Sequence, residues 1–165
     1  FKHVILRYFN VAGADPRGRL GQSTPDATHL IKVACQTALG QREHLSIFGT
    51  DYPTPDGTGI RDYIHVTDLA EAHVMALEHL QQGQQSEVLN CGYGHGYSVR
   101  EIVSAVQRIS RSELPIQETG RRAGDPAQLV SDPARLMDVF QWQPQYDDID
   151  KIVQTAYDWE QHRTS

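Results

Sequence analysis

The strongest constraint on the fold is the apolar run Val4-Ile5-Leu6, followed after one arginine by Tyr8-Phe9. Such a run, with no polar alternation, reads as a strand buried on both faces, the kind found inside the parallel sheet of an α/β protein. A parallel strand needs neighbours, and the candidates are few: Leu45 to Phe48, Asp62 to Val66, Glu87 to Asn90 and, weakly, Pro115 to Glu118. The expectation is part of a sheet, without its earlier strands.

Helices alternate with these strands. One is expected from about Thr28 to Leu39, closed by Gly40. Asp68 with Glu71 has capping-box spacing ahead of Leu69, Ala72, Ala76 and Leu80, and Gly83 ends that segment. Ser98 with Glu101 repeats the device ahead of the stripe Ile102, Val103, Val106 and Ile109. Asp132-Pro133 opens a short helix through Phe140, and Asp147 opens a last one carrying Ile149, Ile152, Val153, Ala156 and Trp159. The alternation gives α/β or α+β, without internal repeats.

Composition excludes several function classes. With 165 residues and 39% hydrophobic content, the chain can bury one core. A formal net charge of -6 argues against general binding to nucleic acid or to an anionic membrane. No run reaches the roughly 18 apolar residues that span a bilayer, and the chain opens on no signal peptide. Cys35 and Cys91 lack the spacing of a zinc site and read as core residues of a protein from a reducing, cytoplasmic compartment. His73 and His79, six apart, fall on different helix faces, so no metal is expected. The absence of a G-x-S-x-G elbow disfavours a serine hydrolase.

Two segments remain. "NCGYGHGYS" (Asn90 to Ser98) alternates its glycines rather than following G-x-G-x-x-G, which favours a close backbone crossing over a nucleotide loop. In "TPDGTGIRDYIHV" (Thr54 to Val66), Arg61 stands where a turn becomes an apolar strand. It could form a salt bridge to Asp62 or Asp68, or it could meet an anionic ligand. "GRRAGDPAQLVSD" adds Arg121, Arg122 and Asp125 in a second loop. Two loops that each offer a guanidinium fork suit a diphosphate, and Asp125 could accept from a sugar hydroxyl, although a solvated charged loop has the same composition.

"RYFNVAGA" (Arg7 to Ala14), "SIFGTDYPTPDGTGIRDYIHVTDLA" (Ser46 to Ala70), "NCGYGHGYSV" (Asn90 to Val99) and "RRAGDPAQLVSD" (Arg121 to Asp132) together resemble the UDP-glucose 4-epimerases of the extended short-chain dehydrogenase/reductase superfamily. The resemblance covers nearly the whole chain. It implies the last elements of a Rossmann-like parallel sheet (about 1–14 and 60–92) interleaved with a small α/β substrate domain (about 15–59 and 93–165). It also implies an NAD-dependent interconversion of UDP-glucose and UDP-galactose through a 4-keto intermediate, in a homodimeric enzyme.

Residue roles follow from the same resemblance. Arg61 and Arg122 would grip the diphosphate and Asp125 the ribose. Asn10, His29 and Leu30 would lie near the diphosphate and sugar, and Ser46, Ile47 and Phe48 near uracil. Leu129 would wall the hexose, and Phe9 would touch the nicotinamide side of NAD. A pentose or hexuronate epimerase, or a non-catalytic nucleotide-sugar module, would share these nucleotide contacts. The family's glycine-rich NAD loop and its Y-x-x-x-K pair do not occur here, since none of Tyr8, Tyr52, Tyr63, Tyr93, Tyr97, Tyr146 and Tyr157 has a lysine four residues on. The chain thus resembles the C-terminal half of an epimerase, expected to be inactive alone and to leave NAD mainly to the missing half.

Overall fold

The apolar opening run forms strand β1 (Val4–Arg7), and after Tyr8-Phe9 the chain continues as β2 (Asn10–Ala12). Then come α1 (Leu30–Ala38), β3 (Leu45–Phe48), β4 (Ile60–Arg61), β5 (Tyr63–His65) and α2 (Val66–Gln81). The second half holds β6 (Glu87–Asn90), β7 (Tyr97–Ser98), α3 (Val99–Ser110), β8 (Ile116–Thr119), β9 (Gln128–Leu129), α4 (Ala134–Phe140) and α5 (Ile149–Thr164). This is a computed structural model that describes residues 1–164.

The fold is α/β, and its strands pair mainly in parallel. β1 pairs with β6 (Val4 opposite Glu87), β2 with β5 (Asn10 opposite Tyr63) and β3 with β8 (Leu45 opposite Ile116). β4 lies between β7 and β9, antiparallel to the first and parallel to the second. Helices α1, α3 and α5 pack on one another around a core that includes Ile31, Cys35, Ile102, Val106, Ile152 and Val153. Both cysteines are fully buried in that core.

Three expectations change. β1 is not buried on both faces: Ile5 and its cross-strand partner Val88 are each 45% exposed, because among the described residues α2 packs on β1 and the opposite face stays uncovered. Asp68 does not cap α2, since the helix begins two residues earlier with His65 accepting from the Thr67 N–H. The Asp68 carboxylate instead turns inward, accepting from the Tyr93 hydroxyl at 2.5 Å and from the Gln145 and Tyr146 N–H groups at 3.0 and 2.9 Å. α5 likewise starts at Ile149 rather than Asp147, with Asp148 accepting from the Asp150 N–H. The Ser98–Glu101 capping box forms at the head of α3 as its spacing predicts.

The glycine-rich segment is a backbone crossing. A Cβ on Gly92 would fall 2.2 Å from Ser131 Oγ and 2.5 Å from Asp62 Oδ2, so only glycine lets the segment pass over the buried Asp62 carboxylate. Asp62 accepts there from the N–H groups of Tyr93, Gly94 and Ser131, each at 3.2 Å, and from the Ser131 hydroxyl at 2.5 Å. Four donors on a carboxylate that is 2% exposed account for its burial without a cation.

Candidate functional site

Asp62 faces inward, and its neighbour Arg61 faces the other way. The Arg61 guanidinium donates to its own neighbour's carbonyl, Ile60 O, at 2.8 Å and lies 3.6 Å from Asp125. The salt bridge to Asp62 or Asp68 is therefore not the one formed. β4 sets this geometry: Ile60 N–H donates to Ala127 O and Asp62 N–H to Leu129 O, which ties the loop bearing Asp125 to the strand bearing Arg61. The preceding loop is fixed at Asp56, which accepts from the Thr58 N–H and hydroxyl and from the Ser98 hydroxyl. Partial burial pushes the Asp56 carboxyl up, but those hydrogen bonds outweigh it and hold it below the usual range.

Arg61 opens into a cavity of about 630 Å³. Asn10, His29, Leu30, Ser46, Phe48, Arg61, Arg122 and Asp125 all line it, so residues expected at one site from five separate sequence segments converge. Asn10 comes in through β2, where its side chain donates to Asp62 O at 3.3 Å. The Arg122 guanidinium stacks 3.6 Å from the Phe48 ring centroid, a cation–π contact that makes one wall both flat and positive. Arg121 points away instead, pairing with Asp51 at 2.7 Å and covering the Tyr52 ring at 4.3 Å. That bond to Arg121 holds the Asp51 carboxyl low.

The N-terminus of α1 closes another side. His29 is its N-cap without a side-chain cap bond, and no acidic residue occupies the first turn, so its free N–H groups and dipole favour an anion. Two guanidinium groups and a helix N-terminus about one cavity supply donors of the kind that a diphosphate-sized anion accepts from, and Phe48 offers a face on which a planar ring can stack.

Three expected residues lie elsewhere. Ile47 is 1% exposed and belongs to the core, because alternation along β3 turns it inward between Ser46 and Phe48. Leu129, on β9, and Phe9, between β1 and β2, are surface-exposed and do not line the cavity. Sequence reasoning missed Arg42, His44, Tyr52 and Tyr63, which do line it. The first two directly precede β3, and proximity to Ser46 was the available signal. No cluster of three or more His, Cys, Asp or Glu side chains suited to a metal occurs among the described residues, nor does a helix long and apolar enough to cross a membrane.

Residues 1–92, which carry Asn10, His29, Phe48 and Arg61, match the model of the NAD dependent epimerase/dehydratase family. The chain belongs to that family. Among curated relatives, a UDP-glucose 4-epimerase from Azospirillum brasilense is 59% identical over 96% of this chain and 46% of its own length. One from Lacticaseibacillus casei is 47% identical over 98% of this chain and 49% of its own. The chain thus spans about half the length of the curated relatives it matches. A crystal structure of a UDP-glucose 4-epimerase superposes with a TM-score of 0.96 at 47% identity, covering 100% of this chain and 50% of that one. The UDP-Glc/GlcNAc 4-epimerase of Campylobacter jejuni superposes at 0.81 with 51% identity, covering 98% and 49%.

Proposed function

We propose that this chain is the UDP-sugar-binding half of a UDP-glucose 4-epimerase, with Arg61 and Arg122 on the diphosphate, Asp125 on the ribose and Phe48 beside uracil. The observation that carries the reading is the meeting of both arginines with the N-terminus of α1 at one cavity. The similarity of the half-length chain to UDP-glucose 4-epimerases supports the choice of reaction.

The residues present do not form a dinucleotide site. They include no glycine-rich phosphate loop, and Phe9, 40% exposed just past the end of β1, is the chain's own candidate contact for NAD. NAD, which would be held mainly by the remainder of the complete enzyme, would supply removal and return of hydride at sugar C4. This chain's task is to hold the nucleotide firmly while the hexose turns about its diphosphate link. The clamp fits that division: its charged groups concentrate at the diphosphate and ribose. The exposed Ile5–Val88 face and the outward Val74 and Leu77 of α2 suit coverage by that remainder, which would also carry any dimer contact.

Titration calorimetry with UDP tests the clamp. Arg61→Ala should weaken binding by about 2–4 kcal/mol if its guanidinium meets desolvated phosphate. Unaltered affinity would refute the role. A second reading, acceptance of N-acetylhexosamines, draws support from the 51% identity to a UDP-Glc/GlcNAc enzyme and from Leu129 lying off the cavity. Turnover by the complete enzyme of UDP-galactose, UDP-N-acetylgalactosamine, UDP-arabinose and UDP-galacturonate separates these substrates. If Leu129 gates the hexose, Leu129→Ser should raise kcat/KM for the acetamido sugar; no change would remove it from that role.

A further inference from the structure

A polar network rooted in a buried ion pair between α1 and α5 ends at two residues of the nucleotide cavity. Lys32 on α1 and Glu160 on α5 form an ion pair whose side chains are each 4% exposed. One arm runs through Lys32, whose ammonium also donates to Gln22 O at 3.1 Å. The same carbonyl accepts from Trp159 Nε1 at 3.1 Å and Arg163 Nη1 at 3.3 Å, so three donors from two helices fix the Gln22 backbone. Trp159 reaches it because Gly21 has no side chain: a Cβ there would sit 2.4 Å from the indole. From this anchored backbone the Gln22 side-chain amide donates to His29 Nδ1 at 2.8 Å. The other arm runs through Gln36, which donates to Glu160 at 3.4 Å and accepts from Arg42 Nε at 2.7 Å. His29 and Arg42 both line the cavity.

We infer that Glu160, through Lys32–Gln22 and through Gln36, is a positioning residue that sets His29 and Arg42 as two further hydrogen-bond donors toward a bound nucleoside diphosphate. This rests on the UDP-sugar reading of the cavity. The chemistry of each arm is specific. An amide NH₂ on Nδ1 makes that nitrogen the acceptor, so neutral His29 carries its proton on Nε2 and keeps a donor for the ligand. Gln36 occupies Arg42 Nε and, with Ala27 O accepting from Nη2 at 3.2 Å, leaves Nη1 as the remaining edge of the fork. A donor oriented before the ligand arrives loses less freedom on binding, which is how residues outside the cavity raise affinity.

Each arm can be cut without removing a buried ion. Gln22→Ala and Gln36→Met should each weaken UDP binding by roughly three- to tenfold, the worth of one well-placed hydrogen bond. Gln22→Ala on top of His29→Ala, and Gln36→Met on top of Arg42→Ala, should add little. Equal losses in the presence and absence of His29 or Arg42 would overturn the proposal, because the arms would then act by another route. The imidazole ¹⁵N spectrum of His29 without ligand gives an independent reading: one Nε2–H tautomer in the parent chain and a mixture in Gln22→Ala. An unchanged spectrum in Gln22→Ala would also overturn the proposal. Failure of the parent chain to bind UDP would count against the UDP-sugar reading itself, while the spectrum would still decide the Gln22 arm. Glu160→Gln, which retains shape but unpairs Lys32, should broaden the His29 signals and weaken UDP binding at least as much as either single arm; tighter binding would refute its role.

Discussion

Replacing Asp62 by Ala should destabilise the chain by roughly 3–5 kcal/mol, because four donors lose their acceptor at once. Three are backbone N–H groups, from Tyr93, Gly94 and Ser131, and the fourth is the Ser131 hydroxyl. An unpartnered buried donor costs about 1–3 kcal/mol, and water entering the vacated space recovers part of the sum. The two oxygens are not equivalent: Oδ1 serves Tyr93 alone, whereas Oδ2 serves Gly94 and both Ser131 groups. Asn can therefore keep its oxygen on the crowded side and turn its amide toward the single Tyr93 N–H, so Asp62→Asn should cost about half as much. Urea unfolding followed by Trp142 fluorescence measures both. With a slope of about 2 kcal/mol per M, the Ala variant's midpoint should fall by about 2 M and the Asn variant's by about 1 M. An Asn variant equal to the parent, or worse than Ala, would refute the assignment of donors to oxygens.

Two further outcomes follow from buried groups. Burial holds the His65 pKa below the usual imidazole value against the opposing pull of Asp68. A depressed folded-state pKa means the unfolded chain takes up the proton first, so stability should fall as pH drops below about 6.5. His65→Asn, which can still cap the Thr67 N–H, should flatten the unfolding midpoint between pH 7 and 5.5; an unchanged slope would exonerate His65. Burial pushes the Cys35 and Cys91 thiols up to about 12, so both should resist a disulfide reagent at pH 8 and react together on unfolding; fast reaction of either in the native chain would contradict its burial.

The elements legible in the sequence were those with enough residues to show a period. Leu45–Phe48 and Glu87–Asn90 form strands where their apolar residues make them candidates, and the α3 stripe follows the Ser98–Glu101 spacing. Strands β2, β7 and β9 span three, two and two residues and have no pattern of their own; they exist because their neighbours supply partners. Asp68 has the spacing of a cap and a different use, since capping and buried acceptance require the same carboxylate. At the site, Arg61, Arg122 and Asp125 were readable as charges that no core explains. Arg42 was not, because its importance lies in Gln36 and Glu160, 124 residues apart in the chain. Ile47, which the resemblance implies near uracil together with Ser46 and Phe48, has its side chain in the core, because alternation along β3 turns it the other way from its neighbours.

The parallel pairing of β1 with β6 has a consequence for how the chain is made. Val4 meets Glu87, so 83 further residues must be made before β6 can pair with β1. At about 5–20 residues per second that is a wait of roughly 4–17 s, far longer than hydrophobic collapse takes. During it the β6-side edge of the Val4-Ile5-Leu6 segment, with strong β propensity and no charge until Arg7, is open to chaperones and to other nascent chains. How long that edge of β1 stays open is then set by how quickly Glu87–Asn90 arrives, so slower translation across the α2 codons should prolong its exposure.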